Sequence, residues 1–488
     1  MLKLKEVLPP FEIMTKKKFY LSTALPYVNY SPHAGFALEI VQADTIARYR
    51  RILGDNVFFL TGTDENSLKN VQAAEKERIP VKKLVDRNAN KFYRLKEVLN
   101  LSFDDFIRTT EKRHIEGAQK LWKACQKDIY KKKYRGLYCV GCEEFYKKSE
   151  LVNGLCPEHK VKPELVGEEN YFFKLSKYQK QLRQIIEKDK IKIIPKTRKN
   201  EVLSFINSGL EDICISRSSK RGHGWGISVP GDSTQILWTW YDALSNYINA
   251  IGYSDDPKRF KKWWPADLHI VGKGIIRFHA VYWVAILLSA KLTLPKAIFV
   301  HGYLTSDGQK MSKSLGNVIG PFELVRKYGT DPVRYFLLRE IPPTADGDFT
   351  YEKFEQRYNS DLAKGLGNLV ARVVTLAKIS NFKFPTSKQI QNSKLQTIIN
   401  KTRKDYQKAL NMFKFNEALM AIWGLNGFCD KYIEKEKLWE SKKKDVINDL
   451  LFTVAEIAKL LEPFLPETSE KIIKQIKAQK SEPLFPRL

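Results

Sequence analysis

Residues 19–40 read FYLSTALPYVNYSPHAGFALEI, and the stretch changes character halfway along. Its apolar first part predicts a buried strand that runs into a loop, and its second part predicts a helix of about 20 residues. That helix opens on Pro32-His33-Ala34-Gly35, where the glycine costs helix propensity. A helix N-terminus presents free N–H groups and a partial positive charge, so this turn suits a phosphate. His33 would add a side-chain donor and Gly35 would let a nucleotide approach the backbone, although the pattern alone favours a capped structural helix.

The composition limits the class of protein. A chain of 488 residues is too long for one hydrophobic core and should contain about two to four domains. Its 43% hydrophobic and 12% aromatic residues argue against intrinsic disorder. No apolar run reaches the roughly 18 residues of a membrane helix, and the first residues lack the apolar segment of a secretion signal. We therefore expect a cytoplasmic protein without a membrane partner.

The charge balance is strongly basic. Lysine and arginine number 83 against 55 aspartates and glutamates, which gives a net charge of +28. Such an excess suits a polyanionic partner, because lysine and arginine attract phosphates. A lysine-biased composition gives the same charge without any such partner, so charge alone leaves nucleic-acid binding undecided.

Two blocks of the chain alternate strands with helices. Beyond the strand that begins at Phe19, the apolar runs that predict strands cover residues 56–66, 104–110, 235–243, 267–273 and 296–304. This alternation predicts an α/β fold on a doubly wound, Rossmann-like parallel sheet, whose ligands bind at the carboxyl ends of strands. The segment between the blocks differs in texture and predicts an inserted domain. Lysine-rich amphipathic helices after about residue 345 predict a C-terminal helical bundle.

Four metal-ligand residues cluster in the inserted segment. They are spaced as two short pairs, Cys139-Val-Gly-Cys142 and Cys156-Pro-Glu-His159. Each pair can bring two ligands to one ion, and two pairs complete a tetrahedral Zn²⁺ site. Since all four ligands come from protein, the ion would be structural; the alternative is two unrelated cysteine pairs, one with a surface histidine. The cluster favours a reduced compartment over a disulfide framework.

The most specific stretch is residues 308–317, GQKMSKSLGN, which we call the lysine loop. It places Lys310 and Lys313 three residues apart between glycines. Two point charges on such a loop can neutralise the charge that grows as pyrophosphate departs from a triphosphate. A solvated charged loop would account for the two lysines but not for the nucleotide-type turn upstream.

Together these motifs resemble the class I aminoacyl-tRNA synthetases. His33-Ala34-Gly35-Phe36 stands where that class has its HIGH motif, and residues 310–314 are an unaltered KMSKS. Within the class the chain is similar to the methionyl-tRNA synthetase family of the single zinc-knuckle type, over about residues 18 to 440. Further motifs that carry the resemblance are ALPYVN at 24–29, TGTDE at 61–65, RTTE at 108–111, LYCVGCEEFY at 137–146, NEVLSFI at 200–206, WTWYDALSNYI at 238–248, IVGK at 270–273 and DPVRYFLLREIP at 331–342.

The resemblance implies ATP-dependent activation of L-methionine to methionyl-adenylate, followed by transfer to tRNA(Met). Mg²⁺ would accompany the ATP. Catalysis would consist of positioning and electrostatics, with His33 donating to phosphate while Lys310 and Lys313 stabilise the leaving pyrophosphate. Gly35 and Gly272 would complete the ATP site.

The resemblance also assigns the other substrates. The methionine site would consist of Leu25, Tyr27, Asp64, Trp240, Ala243, Tyr247 and His279, with Asp64 pairing the substrate ammonium. Aromatic walls suit a polarisable thioether, although core packing would explain Trp240 and Tyr247 equally well. Asn368, Arg372 and Trp439 match the residues that read the anticodon, while a solvated helix face is the plain alternative for the first two.

The expected domain organisation follows from these assignments. The divisions are the first half of the Rossmann catalytic domain at 15–130, the inserted connective domain with the zinc knuckle at 131–231, the second half of the catalytic domain at 232–308, the KMSKS and stem-contact region at 309–350 and the helical anticodon-binding domain at 351–488. No further tRNA-binding or dimerising domain is apparent, so we expect a monomer.

Three positions depart from the family pattern. Phe36 replaces the second histidine of HIGH, Gly274 stands where the family usually has an aspartate that can bind the ATP ribose, and Asn66-Ser67 replace the usual His-Gly. Loss of one preorganised donor typically costs about 10²–10³ in rate. Two alternatives therefore stay open: a weakened paralogue that acts mainly as a tRNA- or RNA-binding module, and a related class I synthetase for another apolar amino acid.

Overall fold

The computed structural model describes residues 16–311, 316–380, 392–441 and 443–486. Lys313 therefore lies outside the described residues, and of Lys310 only the backbone is described. The predicted α/β architecture is confirmed: a parallel sheet forms the centre of the chain, and helices follow it.

The central sheet has six strands, all paired in parallel. In spatial order they are Asp105–Arg108, Asn56–Thr63, Lys18–Thr23, Leu268–Gly272, Ala297–His301 and Lys192–Ile194. Neighbouring residues of one strand belong to different cores: Tyr20, Phe58 and Ile298 pack on one face, and Leu21, Phe59 and Phe299 pack on the other. Burial of both faces explains why these strands read as continuous apolar runs.

The order of the strands creates a crevice. The chain runs from Lys18–Thr23 outward to Asn56–Thr63 and Asp105–Arg108, and it later returns to Leu268–Gly272 on the other side of the first strand. The carboxyl ends of Lys18–Thr23 and Leu268–Gly272 therefore flank a topological switch point, where open α/β sheets bind their ligands. The helix Ala34–Ile52, predicted at about this length, begins beside this point.

Helices cover both faces of the sheet. The helices in the two blocks that alternate with strands are Ala34–Ile52, Leu68–Glu77, Val81–Val98, Lys112–Cys125, Thr239–Leu244, Asn246–Asn249, Pro257–Trp263 and Trp283–Ser289. The longest apolar run of the sequence forms a π-helical turn, Phe278–Tyr282, that leads into the buried helix Trp283–Ser289. Within the described ranges, no helix combines the length and the apolar character that crossing a bilayer requires.

The inserted segment builds two small sheets. One contains Ile129–Cys139, Glu144–Tyr146, Glu164–Phe173 and Ile213–Cys214, and the other contains Ser216–Ser218, Ser228–Val229 and Asp232–Leu237. The strand Lys192–Ile194, between the helices Gln179–Glu187 and Lys196–Asn207, pairs with Ala297–Phe299 and extends the central sheet, which the sequence pattern does not predict. The expected parallel strand at 235–243 is wrong, because Gln235–Leu237 pairs antiparallel with Ser216–Ser218 and a helix follows from Thr239.

The C-terminal part is helical, as predicted. Short strands Leu304–Ser306, Gln309–Lys310 and Gly347–Phe349 precede or interleave with the helices Pro321–Tyr328, Thr330–Arg339, Tyr351–Arg357, Tyr358–Gly367 (π-helical), Asn368–Ile379, Ser393–Asn411, Phe415–Lys435, Leu438–Ser441, Lys444–Leu461 and Pro466–Ala478. One buried arginine, Arg334, connects this part to the first block of strands and helices. Arg334 pairs with Asp44 at 2.8 Å and donates to the carbonyl oxygens of Leu99 and Phe464 at 3.0 and 2.7 Å.

Candidate active site

A cavity of about 420 Å³ opens at the switch point of the sheet, and we call it the crevice cavity. Its wall combines the loop after Lys18–Thr23, the start of the helix Ala34–Ile52 and the ends of Leu268–Gly272 and Ala297–His301. Six residues that the sequence assigned to substrates line it: Leu25, Tyr27, His33, Gly35, Trp240 and Gly272. Side chains far apart in the sequence thus meet at the edge of the sheet that binds ligands.

His33 caps the helix Ala34–Ile52. Its Nδ1 accepts a hydrogen bond from the backbone N–H of Gly35 at 3.0 Å. An Nδ1 that accepts carries no proton, so the neutral ring keeps its proton on Nε2. The surrounding protein lowers the pKa of His33 by desolvation, which favours this neutral form. The capping geometry leaves an Nε2–H donor on the solvent-exposed ring at the amino end of the helix.

Gly35 makes room for that cap. A Cβ at position 35 would lie 2.8 Å from Cε1 of the His33 ring and 3.7 Å from Cε of Met311. The lack of a side chain at position 35 therefore allows the His33 ring to lie close to the helix backbone. Phe36, where the family has a second histidine, packs its ring edge-on against Phe92 with 5.2 Å between centroids.

The side chains assigned to the methionine thioether form one aromatic cluster. Trp240 stacks on Phe278 with 3.8 Å between ring centroids, and its Nε1 donates to the Cys142 carbonyl at 3.1 Å. Behind it, the Tyr247 hydroxyl lies 2.8 Å from His279 Nε2, and His279 Nδ1 lies 2.9 Å from the Ile275 carbonyl.

Burial lowers the pKa of His279 to about 4, so its ring is neutral. The neutral ring donates from Nδ1 to the carbonyl and accepts the Tyr247 proton at Nε2. The Tyr247–His279 pair therefore carries no charge, which suits contact with an apolar side chain. Ala243, also assigned to methionine, is buried in the same helix that carries Trp240.

Asp64 follows the strand Asn56–Thr63 and is only 2% exposed. It lies beside Tyr27 through a parallel bridge, and its backbone N–H donates to the Pro26 carbonyl at 2.9 Å. Burial raises the pKa of Asp64 well above its usual range, and the carboxylates of Asp242 and Glu143 raise it further. A cation placed at this carboxylate would relieve both effects.

Asn66 and Ser67, which depart from the family pattern, donate hydrogen bonds to the carboxylates beside Asp64. Asn66 Nδ2 donates to Asp242 at 2.7 Å, and Ser67 Oγ donates to Glu143 at 2.9 Å. Ser67 also caps the helix Leu68–Glu77 by accepting from the Lys69 N–H. These two residues thus supply the hydrogen bonds that buried carboxylates require.

Sequence reasoning missed a histidine and a glutamate that line the same cavity as His33 and Gly35. His301 ends the strand Ala297–His301, and its Nε2 lies 2.8 Å from Glu39 Oε2 while its Nδ1 lies 2.7 Å from the Gly302 carbonyl. Each ring nitrogen of His301 therefore faces an oxygen that can accept a hydrogen bond. Both residues line the crevice cavity. A polar residue at the carboxyl end of a predicted strand was the signal for His301.

The lysine loop approaches the cavity from the last short strands. Gln309–Lys310 pairs antiparallel with Thr305–Ser306, and Met311 lines the crevice cavity. Lys313 lies outside the described residues. The described part thus brings the start of the lysine loop next to His33 and Gly35.

The four metal-ligand residues converge at residues 139–159, which we call the knuckle. The ligand atoms of Cys139, Cys142, Cys156 and His159 all lie within 4.8 Å of one another. Gly141 permits this approach, because a Cβ there would be 2.6 Å from the His159 ring. Three thiols and one imidazole in this spacing are a donor set that could hold one metal ion.

The residues assigned to the anticodon lie in two of the C-terminal helices, Asn368–Ile379 and Leu438–Ser441. Asn368 begins the helix Asn368–Ile379 and is exposed, and Arg372 follows one turn later. Arg372 pairs with Asp430 at 3.2 Å, on the helix Phe415–Lys435 that leads toward Trp439. The Trp439 side chain is 53% exposed, which is unusual for a residue of this size.

Known proteins that are similar to this chain indicate its family. The model of the family described as "tRNA synthetases class I (M)" matches residues 19–164 and 149–374, and that of the "Anticodon-binding domain of tRNA ligase" matches residues 393–485. The methionine–tRNA ligase of Brucella suis is 42% identical over 475 residues, which are 94% of this chain and 92% of the relative. That of Clostridium tetani is 42% identical over 95% of this chain and 74% of its own length.

A solved structure agrees with these matches. Mycobacterium tuberculosis methionyl-tRNA synthetase in complex with methionyl-adenylate superposes with a TM-score of 0.90 at 38% identity, over 96% of this chain and 100% of that chain. The parallel sheet, the crevice cavity and the helical C-terminal part define a class I aminoacyl-tRNA synthetase. Within that class, the chain belongs to the methionyl-tRNA synthetase family.

Proposed function

We propose that this chain acts as a methionine–tRNA ligase, which activates L-methionine with ATP and transfers the methionyl group to tRNA(Met). One observation carries the proposal. The amino end of the helix Ala34–Ile52 and the aromatic stack of Trp240 on Phe278 line the same cavity, and the buried carboxylate Asp64 lies next to Tyr27, which also lines it. A phosphate and an amino acid could therefore react side by side.

The methionine end would bind the amino acid in two parts. Asp64 pairs the ammonium, because a buried carboxylate with a raised pKa gains most from an added cation. Leu25 and Trp240 contact the side chain, and the neutral Tyr247–His279 pair closes the pocket behind them. The Tyr27 hydroxyl is buried without a hydrogen-bond partner among the described residues, which supports a ligand contact there.

Activation is a displacement at phosphorus. A methionine carboxylate oxygen bonds to the α-phosphate of Mg²⁺–ATP while the bond to pyrophosphate breaks, which leaves methionyl-adenylate. The His33 Nε2–H and the helix N-terminus donate to phosphate oxygens, Gly35 and Gly272 admit the nucleotide to the backbone, and Lys310 and Lys313 neutralise the departing pyrophosphate. A hydroxyl of the tRNA terminal adenosine then attacks the methionyl carbonyl carbon, and AMP leaves.

The knuckle would hold Zn²⁺ through Cys139, Cys142, Cys156 and His159. The ion would cross-link two short loops, and four protein ligands would leave it no open position for chemistry. Trp240 connects the knuckle to the methionine pocket through its bond to the Cys142 carbonyl, so the metal would stabilise one pocket wall.

The helical part would recognise the anticodon. Exposed Trp439 offers a stacking surface for an unpaired base, and Asn368 and Arg372 offer polar groups on one helix face. The domain divisions expected from the sequence remain our proposal for how these parts share the chain.

The test is methionine-dependent ATP–pyrophosphate exchange. We expect exchange with methionine that exceeds exchange with leucine, isoleucine, valine or cysteine by at least about tenfold, because one methylene in an apolar pocket is worth about 1–3 kcal/mol. Preference for another amino acid would point to a different class I synthetase. No exchange with any amino acid, together with retained tRNA binding, would point to a paralogue that only binds RNA.

A further inference from the structure

Gly274 is the second residue after the strand Leu268–Gly272, at the switch-point end of the sheet. The space that a side chain would take there is already filled. A Cβ at position 274 would lie 2.0 Å from the Tyr303 hydroxyl oxygen and 3.7 Å from Glu158 Oε2. Gly274, Tyr303 and Glu158 all line the crevice cavity. Position 274 lacks the carboxylate that the family usually has there, and the Tyr303 hydroxyl and the Glu158 carboxylate lie in its place.

The two oxygens belong to different parts of the molecule. Tyr303 follows the strand Ala297–His301, and its hydroxyl donates to Glu158 at 3.3 Å. Glu158 lies in the knuckle, between Cys156 and His159. The contact therefore joins the knuckle to the catalytic sheet across one end of the crevice cavity.

The Tyr303 ring is held in place from several sides. Its backbone N–H donates to Asp346 Oδ1 at 2.8 Å, and Lys273 Nζ lies 4.6 Å above its ring while pairing with the same aspartate at 2.6 Å. A ring fixed in this way presents its hydroxyl at a defined place. Preorganised polar groups of this kind discriminate between ligands better than side chains that must be ordered on binding.

The position of the pair in the cavity indicates which part of a nucleotide it meets. His33 and Gly35 lie at the amino end of the helix Ala34–Ile52, which attracts phosphates, whereas Gly272 and Gly274 lie across the crevice. With the phosphates at the helix, the nucleoside extends toward the second strand end. A phenol oxygen can still accept while it donates, and a carboxylate accepts several bonds, so together they suit neighbouring sugar hydroxyls.

From this geometry we infer that Tyr303 and Glu158 form the ribose-recognising pair of the ATP site. The pair takes the place of a carboxylate on position 274 and makes ATP binding depend on the sugar hydroxyls. This inference rests on the proposed function, since it assumes that the crevice cavity binds ATP.

The experiment compares ATP with 2′-deoxy-ATP and 3′-deoxy-ATP, by equilibrium dialysis and by methionine-dependent exchange. We expect the unaltered protein to bind at least one deoxy analogue about tenfold more weakly than ATP, as the loss of one hydrogen bond to a charged group predicts. In Tyr303→Phe and in Glu158→Gln the difference should shrink to less than about threefold, with the KM for methionine unchanged. Tyr351→Phe and Glu164→Gln, which alter a tyrosine and a knuckle-side carboxylate that do not line the described cavity, should behave like the unaltered protein.

A second variant tests the filled space itself. Gly274→Ala should reduce the discrimination as well, because its methyl group displaces the Tyr303 hydroxyl. Adding Gly274→Ala to Tyr303→Phe should then cost little more than Tyr303→Phe alone.

Equal weakening of ATP and both analogues in Tyr303→Phe would overturn the inference and assign the ring a packing role. Full discrimination in Tyr303→Phe and Glu158→Gln would overturn it too. Dialysis distinguishes these results from failure of the proposed function, which would appear as absent exchange even where nucleotide binding discriminates between sugars.

Discussion

At the proposed methionine end of the crevice cavity, Trp240 stacks on Phe278, and behind this stack the buried Tyr247 hydroxyl bonds to His279 at 2.8 Å. At the proposed nucleotide end, the wall includes the backbone of Gly35, Gly272 and Gly274, the exposed residue His33 and the start of the lysine loop, together with side chains such as His301 and Tyr303. The first end keeps every residue that the resemblance assigns to methionine, although Asn66-Ser67 depart from the family pattern beside it. The second end contains the departures Phe36 and Gly274. A substitution among side chains that bond to and stack on one another disturbs its neighbours, so we expect the proposed methionine end to tolerate fewer changes than the end that includes glycine backbone.

Both departures at the nucleotide end have neighbours that occupy the freed space. Phe36 packs against Phe92, and Tyr303 fills the volume beside Gly274. An imidazole is still present at the wall, because His301 lies there with Glu39. We therefore expect the phosphate chemistry to depend on the helix N-terminus and the lysine loop rather than on the second position of the HIGH motif.

The largest effect should come from Lys313→Ala. Removing one cation that stabilises departing pyrophosphate should lower the rate of methionine-dependent exchange about 10²–10³-fold, with little change in methionine affinity. Exchange kinetics at varied methionine and ATP measure both quantities, with Lys83→Ala on an exposed helix surface as the control. A collapse of methionine affinity at an unchanged rate would contradict the assignment of the lysine loop to ATP.

Asp64→Asn should act at the other end of the cavity. We expect the KM for methionine to rise about 10²-fold, because the substrate ammonium would lose its buried partner. The isosteric Asp189→Asn, at an exposed pair with Lys199, serves as the control and should change nothing. A variant that keeps its methionine KM but loses ATP binding would reverse the roles of the two ends.

The same carboxylate predicts a pH dependence. Because the pKa of Asp64 is raised in the free protein, the acid must lose its proton before it can pair an ammonium. Methionine affinity should therefore fall as the pH drops through that raised pKa, and binding near it should release a proton. Calorimetry in buffers of different ionisation enthalpy measures the release, which Asp64→Asn should abolish.

Trp439→Ala should have a smaller effect, confined to tRNA. Loss of one base–aromatic stack should weaken tRNA(Met) binding about tenfold and leave methionine-dependent exchange unchanged. Filter binding compares this variant with Val152→Ala, which alters an exposed apolar residue of the knuckle instead. Unchanged tRNA affinity would remove Trp439 from the anticodon contact.

The smallest effect should come from Phe36→His. The imidazole ring would lie against Phe92 in an apolar environment, where desolvation disfavours a polar group. We therefore do not expect it to reach the phosphates as a donor, and the exchange rate should change less than about threefold. A rise of about tenfold or more would show that Phe36 limits the reaction and that the neighbouring groups do not compensate.

The sequence predicted most of this architecture because periodicity and glycine placement are local signals. Strands such as Asn56–Thr63 and the helix Ala34–Ile52 lie where apolar spacing placed them. The edge strand Lys192–Ile194 was not predicted, because three residues are too few to show an alternation of apolar and polar side chains. The antiparallel pairing of Gln235–Leu237 was missed because pairing partners are not encoded in one strand. The roles of Glu39 and Tyr303 depend on contacts between distant segments, which spacing cannot reveal.

We expect this one chain both to form methionyl-adenylate and to recognise the anticodon of tRNA(Met). Transfer of radiolabelled methionine to tRNA(Met), compared with the same tRNA carrying a replaced anticodon, tests it most directly. We predict charging of tRNA(Met) at a kcat/KM at least about 10²-fold higher than for the altered tRNA. Tight binding of tRNA(Met) without any methionine transfer would contradict the account.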